Sequence, residues 1–343
     1  MQVNRRTLTA ALSSATALGL LIGGYFVLTS GTKPAPKPKP VAVVVHKAKR
    51  KPRLMSPFTG EPIKSLGPEV IYKIDNVVMA RPPTGLTHAD IVYVLPVDAG
   101  LSRIFAVFSS YFPRVVGPVR SARAEDLQLL REFWKPAFVW SGAQSKLLYV
   151  VLRAHIVDLY AWISRGFYRD YRRVEPYNLF TDTKVLLRQA KGASKAHDIG
   201  FRFGRLPPGG RRVKSWSVRY PSASFTFRWS AKKRRWLVWM DGSPAWATEG
   251  GQLGGRTVVI QNVAVGLSHF KEYGVEPPYV NSIGHGTAIV LRNGRAYRVH
   301  WSRRRATSGT YYTLPDGKPM RFARGQVWVI FKYGPGSTAP RVP

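Results

Sequence analysis

The chain has 343 residues, with 53 Lys and Arg against 18 Asp and Glu, no cysteine, and a net charge of +35. Without cysteine there is no disulfide scaffold, thiolate nucleophile, Cys-ligated zinc or iron–sulfur centre, or Cys-linked lipid in this sequence. Its 45% hydrophobic and 12% aromatic content is that of a globular protein, and the charge points to polyanionic partners without specifying a fold.

Residues 1–9 form a short basic start carrying Arg5 and Arg6. Residues 10–29 hold no charge and are long enough to cross a bilayer. No small-x-small cleavage site follows, so the pattern predicts a retained single-pass anchor rather than a cleaved signal. Residues 30–54 are rich in Pro and Lys, which predicts an extended, solvated tether able to lie along an anionic surface. Those same lysines would favour the cytoplasmic side by the positive-inside rule. The sequence pattern alone therefore leaves orientation open.

From about residue 55 the texture becomes globular. Apolar runs at 71–78, 91–97, 104–108 and 137–140 predict strands. Residues 122–134 place Leu127, Leu130 and Phe133 at helical spacing, with Glu125 and Asp126 in the first turn where the helix dipole favours acids. A second helix is predicted over 181–190, with Thr181 as its N-cap. The stretch 200–210 (GFRFGRLPPGG) is the best internal boundary. Beyond it, strands are predicted at 216–220, 224–229, 235–240, 289–292, 295–299 and 326–332. Asn293-Gly294 supplies a strong hairpin signal. The expected class is α+β: a mixed α/β part over 55–205, then a β-rich basic part over 206–335, after an N-terminal transmembrane helix.

Common catalytic and metal motifs are absent. The chain has no H-E-x-x-H, G-x-S-x-G, P-loop or G-x-G-x-x-G opening a helix, and its seven His lack metal-ligand spacing. No cofactor and no metal are expected. Ser230-Ala-Lys-Lys233 matches S-x-x-K without its partner motifs.

The most informative segment is Gly117-Pro-Val-Arg-Ser-Ala-Arg123, which leads into the first helix. Here a turn is followed by Ser121 as a cap, with Arg120 and Arg123 beside the helix start and Arg103 opening a nearby strand. Such guanidiniums can cradle a phosphate or carboxylate. They can equally pair with Asp75, Asp90 or Asp98 in an internal ion network. In the last part, 24 cations face 5 acids over residues 201–343. Clusters at Arg211, Arg212 and Lys214, at Lys232, Lys233, Arg234 and Arg235, and at Arg303, Arg304 and Arg305 predict a polyanion-binding surface with Trp residues packed beneath it.

Four segments, SPFTGEPI (56–63), TGLTHADIVYVLPVDAGLSRIFAVF (84–108), GPVRSAR (117–123) and FYRDYRRVEPYNLFTDT (167–183), resemble the YerB-like family of bacterial cell-envelope proteins. A weaker similarity continues to about residue 335. The resemblance implies export and membrane attachment, and no established reaction. The chain departs from the family pattern at Val94, Asp98-Ala99, Tyr177 and the Trp140-Ser-Gly-Ala turn, where relatives carry an acid, Glu-Gly and two His-containing motifs. These losses weigh against catalysis. The expectation is a protein of the cell membrane, held through residues 10–29 with its folded part extracytoplasmic. It would bind an anionic polymer or lipid, with nucleic acid bound only unspecifically. The alternative is an envelope enzyme acting on a phosphate- or carboxylate-bearing glycan through the Asp/Arg cluster.

Overall fold

The computed structural model describes residues 53–271 and 274–335, and the expected anchor at 10–29 and most of the tether lie outside them. Among the described residues no helix is long and apolar enough to cross a membrane. The described residues form one compact unit.

In chain order the elements that build the frame are β1 (Val70–Asp75), β2 (Ile91–Pro96), β3 (Ser102–Phe108), α1 (Ala124–Leu130), β4 (Ala137–Trp140), α2 (Ser145–Leu152), β5 (Val157–Tyr160) and α3 (Thr183–Gln189). They continue with β6 (Arg211–Arg212), β7 (Ser215–Tyr220), β8 (Ala223–Ser230), β9 (Arg235–Met240), β10 (Thr257–Leu267), β11 (Pro278–Asn281), β12 (Gly284–Arg292), β13 (Arg295–Arg303), β14 (Tyr311–Thr313) and β15 (Val327–Tyr333). One 12-stranded sheet runs β6-β13-β12-β10-β15-β2-β3-β1-β4-β5, with β11 paired to β10 and β14 to β13. A smaller sheet built on β7, β8 and β9 lies separately.

Strand periodicity explains the layers. Along β2, Ile91, Tyr93 and Leu95 join one core, together with Leu129 and Leu130 of α1 and Leu147 and Val151 of α2. The intervening Val92 and Val94 join the other, with Phe225 and Phe227 of β8 and Trp236 and Val238 of β9. Helices thus cover one face of the large sheet near β2, and the small sheet covers the opposite face. A strand buried on both faces reads as a continuous apolar run, as β2 does.

The boundary expected near 205 does not divide two bodies. The last strand, β15, pairs in parallel with β2 on one side (Ile91 opposite Val327) and with β10 on the other (Thr257 opposite Val327). The two halves therefore share one sheet.

Several element ends differ from expectation for local reasons. β1 stops at Asp75, whose carboxylate accepts the Asn76 and Val77 amides and turns the chain. The first helix starts at Ala124, because residues 118–122 run as an extended segment beside β1. Its N-cap is Arg123, whose backbone N–H donates to Asp126 at 2.8 Å, so Ser121 is not the cap. The later helix begins at Thr183 with Asp182 as N-cap, its carboxylate accepting the Val185 amide. Thr181 belongs to the preceding strand, and its hydroxyl donates to the Val116 carbonyl.

Candidate functional site

Two arrangements of charge stand out: an ion network between the sheet and α1, and an unpaired basic face at the β6 end of the molecule.

The network is built by backbone first. The Arg120 amide donates to the Lys73 carbonyl at 2.8 Å and the Asp75 amide to the Pro118 carbonyl at 3.0 Å, which zips residues 118–120 onto β1. On its other side the Ser141 amide donates to Arg120 and the Ala122 amide to Gly142. This clamp fixes where the GPVRSAR side chains emerge. Arg120 pairs with Asp75 at 2.8 Å, and its guanidinium lies 5.6 Å from the centre of the Tyr177 ring. Arg123 pairs with Asp98 at 2.6 Å. Arg103, opposite Asp75 in the β1–β3 register, donates to the Ser121 carbonyl at 3.4 Å. Burial, helped by Arg123 and Arg120, pulls its guanidinium down to about 10.

Sequence reasoning missed the deepest members. Lys73, on the α1 side of β1, is fully buried and pairs with Asp126 at 2.5 Å. Asp126 accepts the Arg123 amide through its other oxygen, so it serves both the helix start and the buried lysine. Glu125 is buried beside them. Burial first, and Asp126 second, push its carboxyl up to about 8 against the pull of Lys73 and Arg123. Its Oε1 has no hydrogen-bond partner among the described residues. The signal for this trio was present in the strand VIYKID: a lysine flanked by residues buried on both faces must find a counter-charge.

Asp90 is not part of this network. It sits at the start of β2, the length of that strand (~20 Å) from Asp98. There its carboxylate accepts the Ser109 and Ser110 amides at 2.6 and 2.8 Å, closing the turn after β3. The remaining members, Lys73, Arg103, Arg120 and Arg123 against Asp75, Asp98, Glu125 and Asp126, are four cations and four carboxyls. With Glu125 held protonated at neutral pH by burial, the other three carboxylates offset three of the four cations. Two surface cavities, one lined by Arg131, Trp134, His155 and Thr307 and the other between β10 and β12 near His285 and Trp301, are lined by none of them.

The basic face differs in kind. β6 places the exposed Arg211 and Arg212 against Ala296 and Arg295 of β13. Val213 donates to the Gly294 carbonyl, and Trp229 to the Lys214 carbonyl at 2.9 Å, which brings Lys214 and the half-buried Trp229 beside the β12–β13 hairpin. The exposed Lys232, Lys233 and Arg234 form the β8–β9 turn. Arg256 bridges from there to the Arg324 carbonyl. No salt bridge among the described residues involves Arg211, Arg212, Lys214, Lys232, Lys233 or Arg234. Two of the acids beyond residue 200 are engaged elsewhere, Asp241 by Arg81 and Glu249 by the Gly85 and Thr87 amides.

Four expected members of the surface are placed elsewhere. Arg235 turns inward, its guanidinium donating to the Gly254 carbonyl, and burial lowers its basicity. Arg303 is fully buried. It donates to Ser282 Oγ at 2.7 Å and to the Gln128 and Ala306 carbonyls at 2.9 and 2.6 Å, with Glu132 at 3.8 Å. It thereby ties the β13 end to α1. Arg304 and Arg305 are exposed, but at the opposite end of β13 from Arg295, eight residues or ~26 Å away. Of the indoles, Trp236 and Trp301 are buried as expected, while Trp216, Trp229 and Trp239 are half-buried.

Comparison with known proteins gives the family. Residues 58–197 match the N-terminal domain, and 216–329 the C-terminal domain, of a protein family of unknown function, DUF3048. The interval between the two matches contains the boundary stretch 200–210. A curated relative from Bacillus subtilis (strain 168), named "Putative lipoprotein YerB", is 26% identical over 297 residues, covering 81% of this chain and 86% of its own. The crystal structure of Bacillus subtilis YerB superposes with a TM-score of 0.70 at 19% identity, covering 81% of this chain and 96% of that one. The fold is thus YerB-like, sheet-rich with few helices, and the chain belongs to the DUF3048 family.

Proposed function

We propose that this chain is a membrane-anchored cell-envelope protein, its folded unit extracytoplasmic, which binds an anionic polymer through the face formed by Arg211, Arg212, Lys214 and the Lys232–Arg234 turn. The observation that carries this reading is six exposed cations gathered at one end of the molecule, none of them in a salt bridge among the described residues. Such a face attracts a chain of phosphates or carboxylates and releases its counterions on binding. Trp229, half-buried among them, offers an edge against which a ligand can pack. The envelope location is supported by the lipoprotein name of the Bacillus subtilis relative and by the uncharged stretch 10–29. In this sequence, which has no Cys to carry a lipid, that stretch would itself be the anchor.

The enzyme alternative draws less support. Its acids and arginines converge, Asp90 excepted, but they are paired with one another. The test is binding of the full chain to linear inorganic polyphosphate, anionic vesicles and DNA at low salt. Polyphosphate binding is expected to weaken at least tenfold when Lys232, Lys233 and Arg234 become Gln. The paired change Arg304→Gln and Arg305→Gln should leave it unaltered. Absence of polyphosphate binding at low salt contradicts the reading; equal affinity for polyphosphate and DNA reduces it to charge attraction without recognition.

A further inference from the structure

At the other end of the large sheet lies a surface of a different character. α2 has the sequence SKLLYVVL, apolar at six of eight positions. Only Leu147 and Val151 are buried against the core, while Tyr149 is 65%, Val150 42% and Leu152 39% exposed. A helix that is apolar all round normally has a second apolar neighbour. β5, the edge strand that α2 leads into, ends in a tight turn in which the Ile163 and Ser164 amides both donate to the Tyr160 carbonyl. This turn pushes Trp162 and Ile163 outward, at 82% and 68% exposure. The Ala161 amide donates to the Trp140 carbonyl, so the turn sits beside the end of β4, from which the α2 crossover departs. Helix face and turn therefore flank the same sheet edge.

The exposed Lys, Arg, Asp and Glu side chains of residues 145–165 are all cationic. Lys146, Arg153 and Arg165 are exposed and make no salt bridge among the described residues. Residues 133–169 contain one acid, Asp158, and it is occupied in accepting the Trp140 indole N–H at 2.8 Å.

We infer that this edge is a membrane-docking surface, at which Trp162 and Ile163 enter the interfacial layer of an anionic bilayer while Lys146, Arg153 and Arg165 meet its head groups. A protein partner would require some acidic or polar complement. A bilayer needs only what the edge presents: protruding aromatic and aliphatic side chains, including a Trp and a Tyr suited to the head-group level, within a cationic rim. The edge is nine strand spacings, or ~40 Å, from β6. Docking here turns the basic face away from the lipid. The inference stands independently of what that face binds.

The chain's lack of Cys makes the test direct. Full-length Ile163→Cys, labelled with a polarity-sensitive fluorophore, is reconstituted in phosphatidylglycerol and in phosphatidylcholine vesicles. A label at Lys232→Cys reports the opposite edge. The label at 163 is expected to shift to shorter wavelength and to be quenched by brominated acyl chains in phosphatidylglycerol, and the label at 232 to remain in water. Neutralising Lys146 and Arg165 to Gln should lower the docked-to-undocked ratio about fivefold each. A water-exposed label at 163 in both lipids overturns the inference. So does equal burial in both lipids, and so does shielding that grows with protein concentration without lipid, which would assign the edge to a second copy of the chain.

Discussion

Lys73 shows what a single buried charge demands. It lies in a strand whose six residues are all buried, and its ammonium reaches Asp126 with essentially no water contact. Removing one partner strands the other in a low-dielectric interior. Lys73→Met is therefore expected to lower unfolding stability by about 3–5 kcal/mol in urea titration. The double change Lys73→Met and Asp126→Leu should be more stable than Lys73→Met alone; if it is less stable, the pair does not behave as a buried ion pair. Glu125 gives a pH prediction. Its carboxyl is raised from about 4.5 to about 8, chiefly by burial. Between these values the folded chain holds a proton that the unfolded chain releases. Its contribution is therefore full at low pH and is lost as pH rises through about 8. From pH 6 to 8 the urea midpoint of the wild type should fall more than that of Glu125→Gln. Parallel curves would contradict the assignment.

At the scale of elements, GPVRSAR is held by close packing as well as hydrogen bonds. A Cβ on Gly117 would lie 2.6 Å from a Phe180 ring carbon and 3.0 Å from the Leu179 carbonyl oxygen. Gly117→Ala should cost about 1–3 kcal/mol through overpacking, read as a lower Tm; an unchanged Tm would show that the segment can shift freely. The same segment shows what was legible in the sequence. The turn and the helix that follows were visible, and so were the pairings of Arg120 and Arg123 with Asp75 and Asp98 as one of two open outcomes. The cap was misplaced, because the extended run beside β1 delays the helix to Ala124. β2, β3 and β4 were legible as apolar runs bounded by turn residues. α2 was not, since a helix apolar on all sides carries no 3.6-residue alternation. β10 was missed as well. Its buried run Thr257–Gln261 lacks the alternation by which a half-buried strand is recognised. Arg303 was read as surface because its neighbours Arg304 and Arg305 are; the pocket that receives it is built from Gln128, Glu132 and Ser282, far away in sequence.

For the whole molecule, the shared sheet decides how the two family halves behave. β15 is hydrogen-bonded to β2 of one and β10 of the other, so neither half has a complete sheet alone. Chemical unfolding of the described unit should show one transition, with far-UV circular dichroism and tryptophan fluorescence superimposable. Two separated transitions would mean the halves are independent. The same sheet sets β5 and β6 at opposite ends, which separates the apolar edge from the basic face. The central claim concerns that face, and the salt dependence of polyphosphate binding tests it most directly. For the full chain, log K should fall linearly with log salt, and converting Lys232, Lys233 and Arg234 to Gln should reduce the slope by about one per residue. A flat response, or an identical slope in the variant, would contradict binding at this face.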